Sequence, residues 1–268
     1  MTDNNDDHDN DEDDIPSMEE WKSSLARAHC ALAELYLTDL CDTDNAEQQC
    51  EYHVQTAMKL CDPPILDALQ VMTSLRLSQP KKQPSPTLTT TETATETTTT
   101  TTTPHDNTNP TTYIWIVYQH MKKGCEALSA LVGLHNSESY MSPTFDDDME
   151  NIINTTQASN ELVELEAVEQ LPSFEFRCQT SKLLLECAVW TDTIHIPCIH
   201  AAIQVLGSLL AEQDEIIEIW YLLGCAFQLL TKSSLSSSTT TTKIINELSD
   251  LAKYSWQQAL EMLEKVRE

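Results

Sequence analysis

Trp220-Tyr-Leu-Leu-Gly224-Cys-Ala-Phe227 decides the fold class. Trp220, Leu223 and Phe227 recur at three- and four-residue steps, which places them on one face of a helix with Gly224 among them. A glycine costs a helix interior about 1 kcal/mol relative to alanine, so a glycine on such a face points to a second helix that must come close. That helix is legible downstream, where Ala252-x3-Trp256-x2-Ala259 sets small, large and small residues along one face. Gly224 and Ala252 let the two helices approach, while Trp220, Phe227 and Trp256 are expected to fill the hollow between them. The Ser/Thr run from Ser233 to Thr242 joins the pair. A long joining loop costs little, because closure entropy grows only with the logarithm of its length.

The same period runs outward from this pair. It is carried by Trp21, Leu25, Ala28, Leu32, Leu35 and Tyr36, then by Leu66, Leu69, Met72, Leu75 and Leu77, then by Val117, Met121, Cys125, Leu128 and Leu131. Phe176, Thr180, Leu183, Leu184 and Cys187 continue it, followed by helical stretches at Ile199–Leu210, Ile216–Leu230 and Ile244–Val266. About eight helices and no strand are predicted, an all-α protein.

The spacing W-x2-L-G-x2-aromatic followed by small, large and small resembles the two-helix signature of the tetratricopeptide repeat. Weaker copies place His29, Leu69 and Arg177 in the Trp slot, and Ala33, Thr73 and Ser181 in the Gly slot. Their second helices carry Cys50, Val54 and Ala57 in the first pair, residues 113–134 in the second, and Ala201, Val205 and Ser208 in the third. The resemblance implies an all-α tetratricopeptide-repeat superhelix of about four helix pairs with low-complexity insertions.

Composition narrows the function. The chain has 268 residues, with 43 Asp+Glu against 15 Lys+Arg and a formal charge of −28. Gly is only 4 and aromatics 6%, which argues against glycine-rich nucleotide loops. The acidic excess repels phosphate backbones and anionic lipid, so direct nucleic-acid or membrane binding is not expected and a cationic protein partner is. Residues 1–20 hold ten acids and no Lys or Arg, and are expected to form a disordered acidic tail. The remaining 248 residues keep 33 acids against 15 bases, so the tail alone does not set the charge. Residues 21–268 are read as the repeat domain, interrupted by disordered insertions at 80–112, 136–160 and 232–243. Nine cysteines, no secretory leader and no long apolar span lead us to expect a soluble, monomeric, intracellular protein. Asn154-Thr-Thr156 is then a polar loop and not a glycan site.

No catalytic fingerprint stands out, so no enzyme activity, cofactor or metal is expected. His195-Ile-Pro-Cys198-Ile-His200 is the tightest His/Cys cluster, yet Pro197 interrupts it and no CxxC occurs. The cysteines fall at small or apolar helix positions, where a free thiol behaves as a small hydrophobe.

Repeats of this kind bind extended peptides along the face of each pair's first helix. Steps of three and four from the Trp slot bring Glu34, Asp67, Glu175, Glu186 and Glu218 to that face, with Tyr221 beside Glu218 and with Arg27 and Lys182 as its bases. An acidic groove is expected. Adaptors that clamp the acidic tails of heat-shock chaperones carry Lys and Asn at two of these slots. Here those slots hold Cys30 and Glu34, Gln70 and Ser74, Cys178 and Lys182, and Tyr221 and Cys225, which disfavours a carboxylate clamp.

Three stretches resemble one family more closely: Asp67–Gln79, Phe174–Arg177 with Lys182–Glu186, and Leu209–Glu215 running into Glu218–Gly224. The family is the dedicated assembly chaperone of large-subunit ribosomal protein four. The resemblance implies a non-enzymatic protein that captures this newly made, basic ribosomal protein and delivers it to pre-ribosomes, acting in the cytoplasm and nucleus. The alternative is a tetratricopeptide scaffold or co-chaperone adaptor in another complex. Where the Thr-rich insertion splits the second repeat, the helix at Tyr113–Leu134 has no residue-by-residue match to the family.

Overall fold

The computed structural model describes residues 16–79, 109–132, 166–191, 194–235 and 242–267. The expected insertion at 136–160, with Asn154–Thr156, lies outside them, as do most of the acidic tail and of the insertions at 80–112 and 232–243. Among the described residues there is no strand. The elements are α1 (Met18–Leu37), α2 (Ala46–Leu60), α3 (Leu66–Ser78), α4 (Pro110–Leu131), α5 (Phe174–Trp190), α6 (Ile196–Glu212), α7 (Ile217–Leu235) and α8 (Thr242–Arg267), with a short helical turn at 166–169. The protein is all-α. The chain forms two compact units, Met1–Ala68 and Leu69–Glu268, whose boundary falls inside α3.

In the first unit α1 begins at Met18, within the stretch expected to belong to the tail. The cause is a capping box: the Glu20 backbone N–H donates to Ser17 Oγ at 3.2 Å and the Ser17 backbone N–H donates to Glu20 Oε2 at 2.6 Å. These bonds hold the Glu20 carboxyl below its ordinary pKa.

Helix α1 packs on α2 through small side chains, with Ala26, Cys30 and Ala33 meeting Cys50, Val54 and Ala57, all buried. The stripe that the period singled out is on the other side: Trp21, Leu25, Leu32 and Leu35 are exposed. Small side chains allow the closer helix approach and therefore win the interface. At its edge His29 and His53 place their Nδ1 atoms 2.9 Å apart, and Tyr36 stacks on His53 at 5.9 Å between ring centres. Burial, then the neighbouring His29, lowers the His53 pKa.

In the second unit α6 is the central helix, packed against α4, α5 and α7, with every residue from Ala201 to Leu210 buried. Helix α8 packs on α7, and α5 touches α4 and α7. Asn109 caps α4 by accepting from the Thr111 backbone N–H, and Pro110 occupies the first turn, where a missing N–H costs nothing. Helix α4 thus starts inside the expected 80–112 insertion. Helix α7 likewise runs to Leu235, inside the 232–243 insertion.

The close approach expected at Gly224 is present. A Cβ there would collide with the Trp256 indole, whose Nε1–H donates to the Tyr221 carbonyl at 3.3 Å. Leu223, Phe227, Ala252 and Ala259 are buried around it. Trp220 differs from expectation: it is half-buried, donates Nε1–H to the Asp214 carbonyl at 2.7 Å and meets Tyr254 edge-on. Its indole keeps one polar edge near water, which disfavours full burial.

Polar groups are paired inside this core. Gln70 Nε2 donates to the Phe176 carbonyl at 3.0 Å and to Thr180 Oγ1 at 2.8 Å, tying α3 to α5. Tyr118 donates to Gln204 between α4 and α6. Arg177 donates to the Pro172 carbonyl, to Ser208 Oγ and to Glu212 at 2.8 Å. Sequence pattern alone put Arg177 in an apolar slot; the acid and the hydroxyl one turn apart on α6 are what make that burial tolerable.

Candidate functional site

The expected groove residues divide between the units. In the first unit Glu34 lies on α1, and Asp67 in the first turn of α3. Desolvation and then the charge of Asp67 raise the Glu34 pKa, so the two carboxylates share one electrostatic neighbourhood. The buried Cys30 thiol one turn before Glu34 is pushed up to about 12, by burial first and then by Asp67 and Glu34. Arg27, one of the two bases anticipated here, is exposed on α1.

In the second unit the first turns of α5 and α7 and the middle of α5 supply the rest. Lys182 Nζ sits 2.8 Å from Glu218 Oε1, and the Cys178 thiol donates to Glu218 Oε2 at 3.5 Å. The bond to Glu218 raises the Lys182 pKa, with Glu186 adding to it; burial and then Glu218 raise that of Cys178, with Glu175 contributing. Glu218 and Glu186 thus act on Lys182, and Glu218 and Glu175 on Cys178 one turn before it, four charged groups whose charges sum to −2. Pairing across two helices was not visible in a list of groove residues, and it makes Glu218 a bridged carboxylate and not a free one. An ion pair this exposed is worth about 0–1 kcal/mol, so a competing cation can displace Lys182 at small cost.

Tyr221 is 56% exposed, one turn beyond Glu218 on α7. It shares a hydrogen bond with Cys225, which raises its pKa. Carboxylates beside an exposed ring can hold a Lys or Arg by charge at one end and by stacking at the other.

Burial pushes Cys187 and Cys198 up to about 12, and Cys50 and Cys125 up to about 11, far from thiolates at neutral pH. His195 Nδ1 and Cys198 Sγ are 3.1 Å apart, while burial lowers the His200 pKa. No group of three or more His, Cys, Asp or Glu among the described residues is placed to hold a metal ion. No described helix is long and apolar enough to cross a membrane.

No family model matches the chain. It is similar to a protein of Schizosaccharomyces pombe described as a probable assembly chaperone of rpl4, with 23% identity over 245 residues, 91% of this chain. Those residues cover 51% of the relative, so the chain spans about half the length of the protein it matches.

Proposed function

We propose that this chain is a dedicated assembly chaperone that binds a newly made, basic ribosomal protein, large-subunit protein four, masks its cationic surface and hands it to pre-ribosomes, working in both cytoplasm and nucleus. The observation that carries the proposal is the acidic cluster in which Glu218 and Glu186 act on Lys182 and Glu175 on the neighbouring Cys178, with exposed Tyr221 one turn from Glu218. The likeness to a probable assembly chaperone of rpl4 across most of the chain points the same way.

The proposed scaffold is a set of four tetratricopeptide pairs. In its support, every residue assigned to the Gly slot, namely Ala33, Thr73, Ser181 and Gly224, is buried. Part of the order such a repeat requires is present, with α1 on α2, α5 on α6, α6 on α7 and α7 on α8, while α4 packs more extensively on α6 than on α5.

The mechanism follows from the charges. Carboxylates neutralise the client's Lys and Arg and hold them away from RNA, while Tyr221 adds contact that salt does not screen. Client entry exchanges the Glu218–Lys182 bridge for a Glu218–client bridge. The test is binding of the purified chain to large-subunit ribosomal protein four at about 0.1 and 0.5 M salt, where the screening length falls from about 10 Å to a few Å. Affinity is expected to drop and persist. Complete loss at the higher salt would reduce the interaction to charge adsorption and sink the proposal.

A further inference from the structure

Helix α1 carries two apolar faces, and only one of them meets α2. Met18, Trp21, Leu25, Ala28, Leu32 and Leu35 follow one another at steps of three and four, so they form a single stripe along the whole helix. The five large members are between 41% and 70% exposed. Scattered exposed leucines are ordinary on any surface, but a continuous stripe marks an interaction face. By helical spacing Glu20 borders the first half of the stripe on one side and Lys22, paired with Glu19, on the other, while Glu34 faces away from it.

Charge decides between occupants. Residues 1–68 hold 18 acids against 3 Lys+Arg, so this quarter of the chain carries about half of the total −28. A second copy would bring −15 against −15, and an anionic lipid surface would be repelled in the same way. A cationic segment is attracted, and a helix with leucines or aromatics at three- and four-residue steps would match the stripe.

We propose that the outer face of α1 docks a basic amphipathic helix of a protein partner, its apolar residues on Trp21, Leu25 and Leu32 and its Lys or Arg residues drawn by the acidic charge of residues 1–68, Glu20 at the stripe's edge included. The inference rests on the client reading above only in taking ribosomal protein four as the natural source of that helix.

The test replaces Leu25→Ser together with Leu32→Ser in the full chain; both are exposed, and unchanged circular dichroism confirms the fold. Calorimetry at about 0.15 and 0.5 M salt then follows two probes. One is ribosomal protein four. The other is a Lys-rich peptide with leucines at helical spacing, compared with the same peptide carrying serines in their place. The double variant is expected to lose tenfold or more in affinity for the first probe at both salts, and to lose the preference for the leucine peptide. Unchanged affinity for both probes overturns the proposal. So does a concentration-dependent dimer of the wild type that the double substitution abolishes, which would make a second copy the occupant. A wild-type chain that ignores ribosomal protein four yet prefers the leucine peptide sinks the client reading and supports the docking face.

Discussion

The indole of Trp256 occupies the space in which a Cβ at position 224 would stand, so Gly224 and Trp256 are a matched pair across the α7–α8 contact. Overpacking of this kind costs about 1–3 kcal/mol. Alanine would otherwise gain a helix up to about 1 kcal/mol over glycine. Gly224→Ala is therefore expected to lower the thermal midpoint by several degrees in the wild type and to be neutral or stabilising in a Trp256→Ala background. A double-mutant cycle by denaturant titration measures the sign reversal. Equal effects in both backgrounds would mean that the ring does not set the helix separation.

Arg177 is a second pivot. Its side chain is 4% exposed, while that of Glu212 is 36% exposed. Removing one partner of a buried pair costs about 3–5 kcal/mol, and less when the partner reaches water. Arg177→Ala should therefore unfold the second unit at clearly lower denaturant, by about 3 kcal/mol, whereas Glu212→Gln should cost about 1 kcal/mol because solvent and Ser208 remain to satisfy the guanidinium. Equal costs for the two would place the pair at the surface in solution.

A third expectation concerns pH. The His53 pKa is lowered, so as pH falls through the ordinary imidazole value near 6.5 the unfolded chain binds its proton before the folded one does. Stability from this group is complete above that value and is lost as pH falls toward the lowered one. The α1–α2 helical signal should therefore melt earlier at pH 5.5 than at pH 7.5, and His53→Gln should flatten the difference. Glu34, whose pKa is raised, acts in the opposite sense, so only the comparison of variant with parent isolates the imidazole. A variant with the parent's pH slope would assign the dependence to another group.

The acidic cluster and the N-terminal acids should separate kinetically. Charge reversal at Glu175, Glu186 and Glu218 removes fixed partners, so it should speed dissociation of ribosomal protein four by tenfold or more with helical content retained. Deleting residues 1–16 removes ten acids less Glu19 and Glu20, leaving the cluster intact, and should chiefly slow association. Stopped-flow rates for both variants decide this. A triple variant that binds like wild type, alongside a truncation that abolishes binding, would refute the cluster as the binding site.

The helices and the α7–α8 contact were legible in the sequence because a glycine on one helical face and a tryptophan on the next, at matched spacings, fit a close helix crossing and little else. The orientation of α1 was not. Periodicity reports that a helix has an apolar stripe, but α1 has two, and the wider one lost the interface to Ala26, Cys30 and Ala33. Only the size of the side chains separates them: small residues announce a close neighbour. The carboxylates themselves can be listed from the sequence, whereas the pairing of Glu218 with Lys182 depends on where α5 and α7 come together, which spacing within either helix does not encode.

Gln70 bonds to partners 106 and 110 residues away in the chain, through the two N–H bonds of one amide nitrogen with defined directions. A purely greasy contact between α3 and α5 could slide or rotate by a residue and lose little; this one cannot. Alignment of the two helices is thus written in a side chain and not in the tether between them. The chain between them carries α4 into the same core, and the amide fixes how far α3 is displaced along α5 without any help from its length.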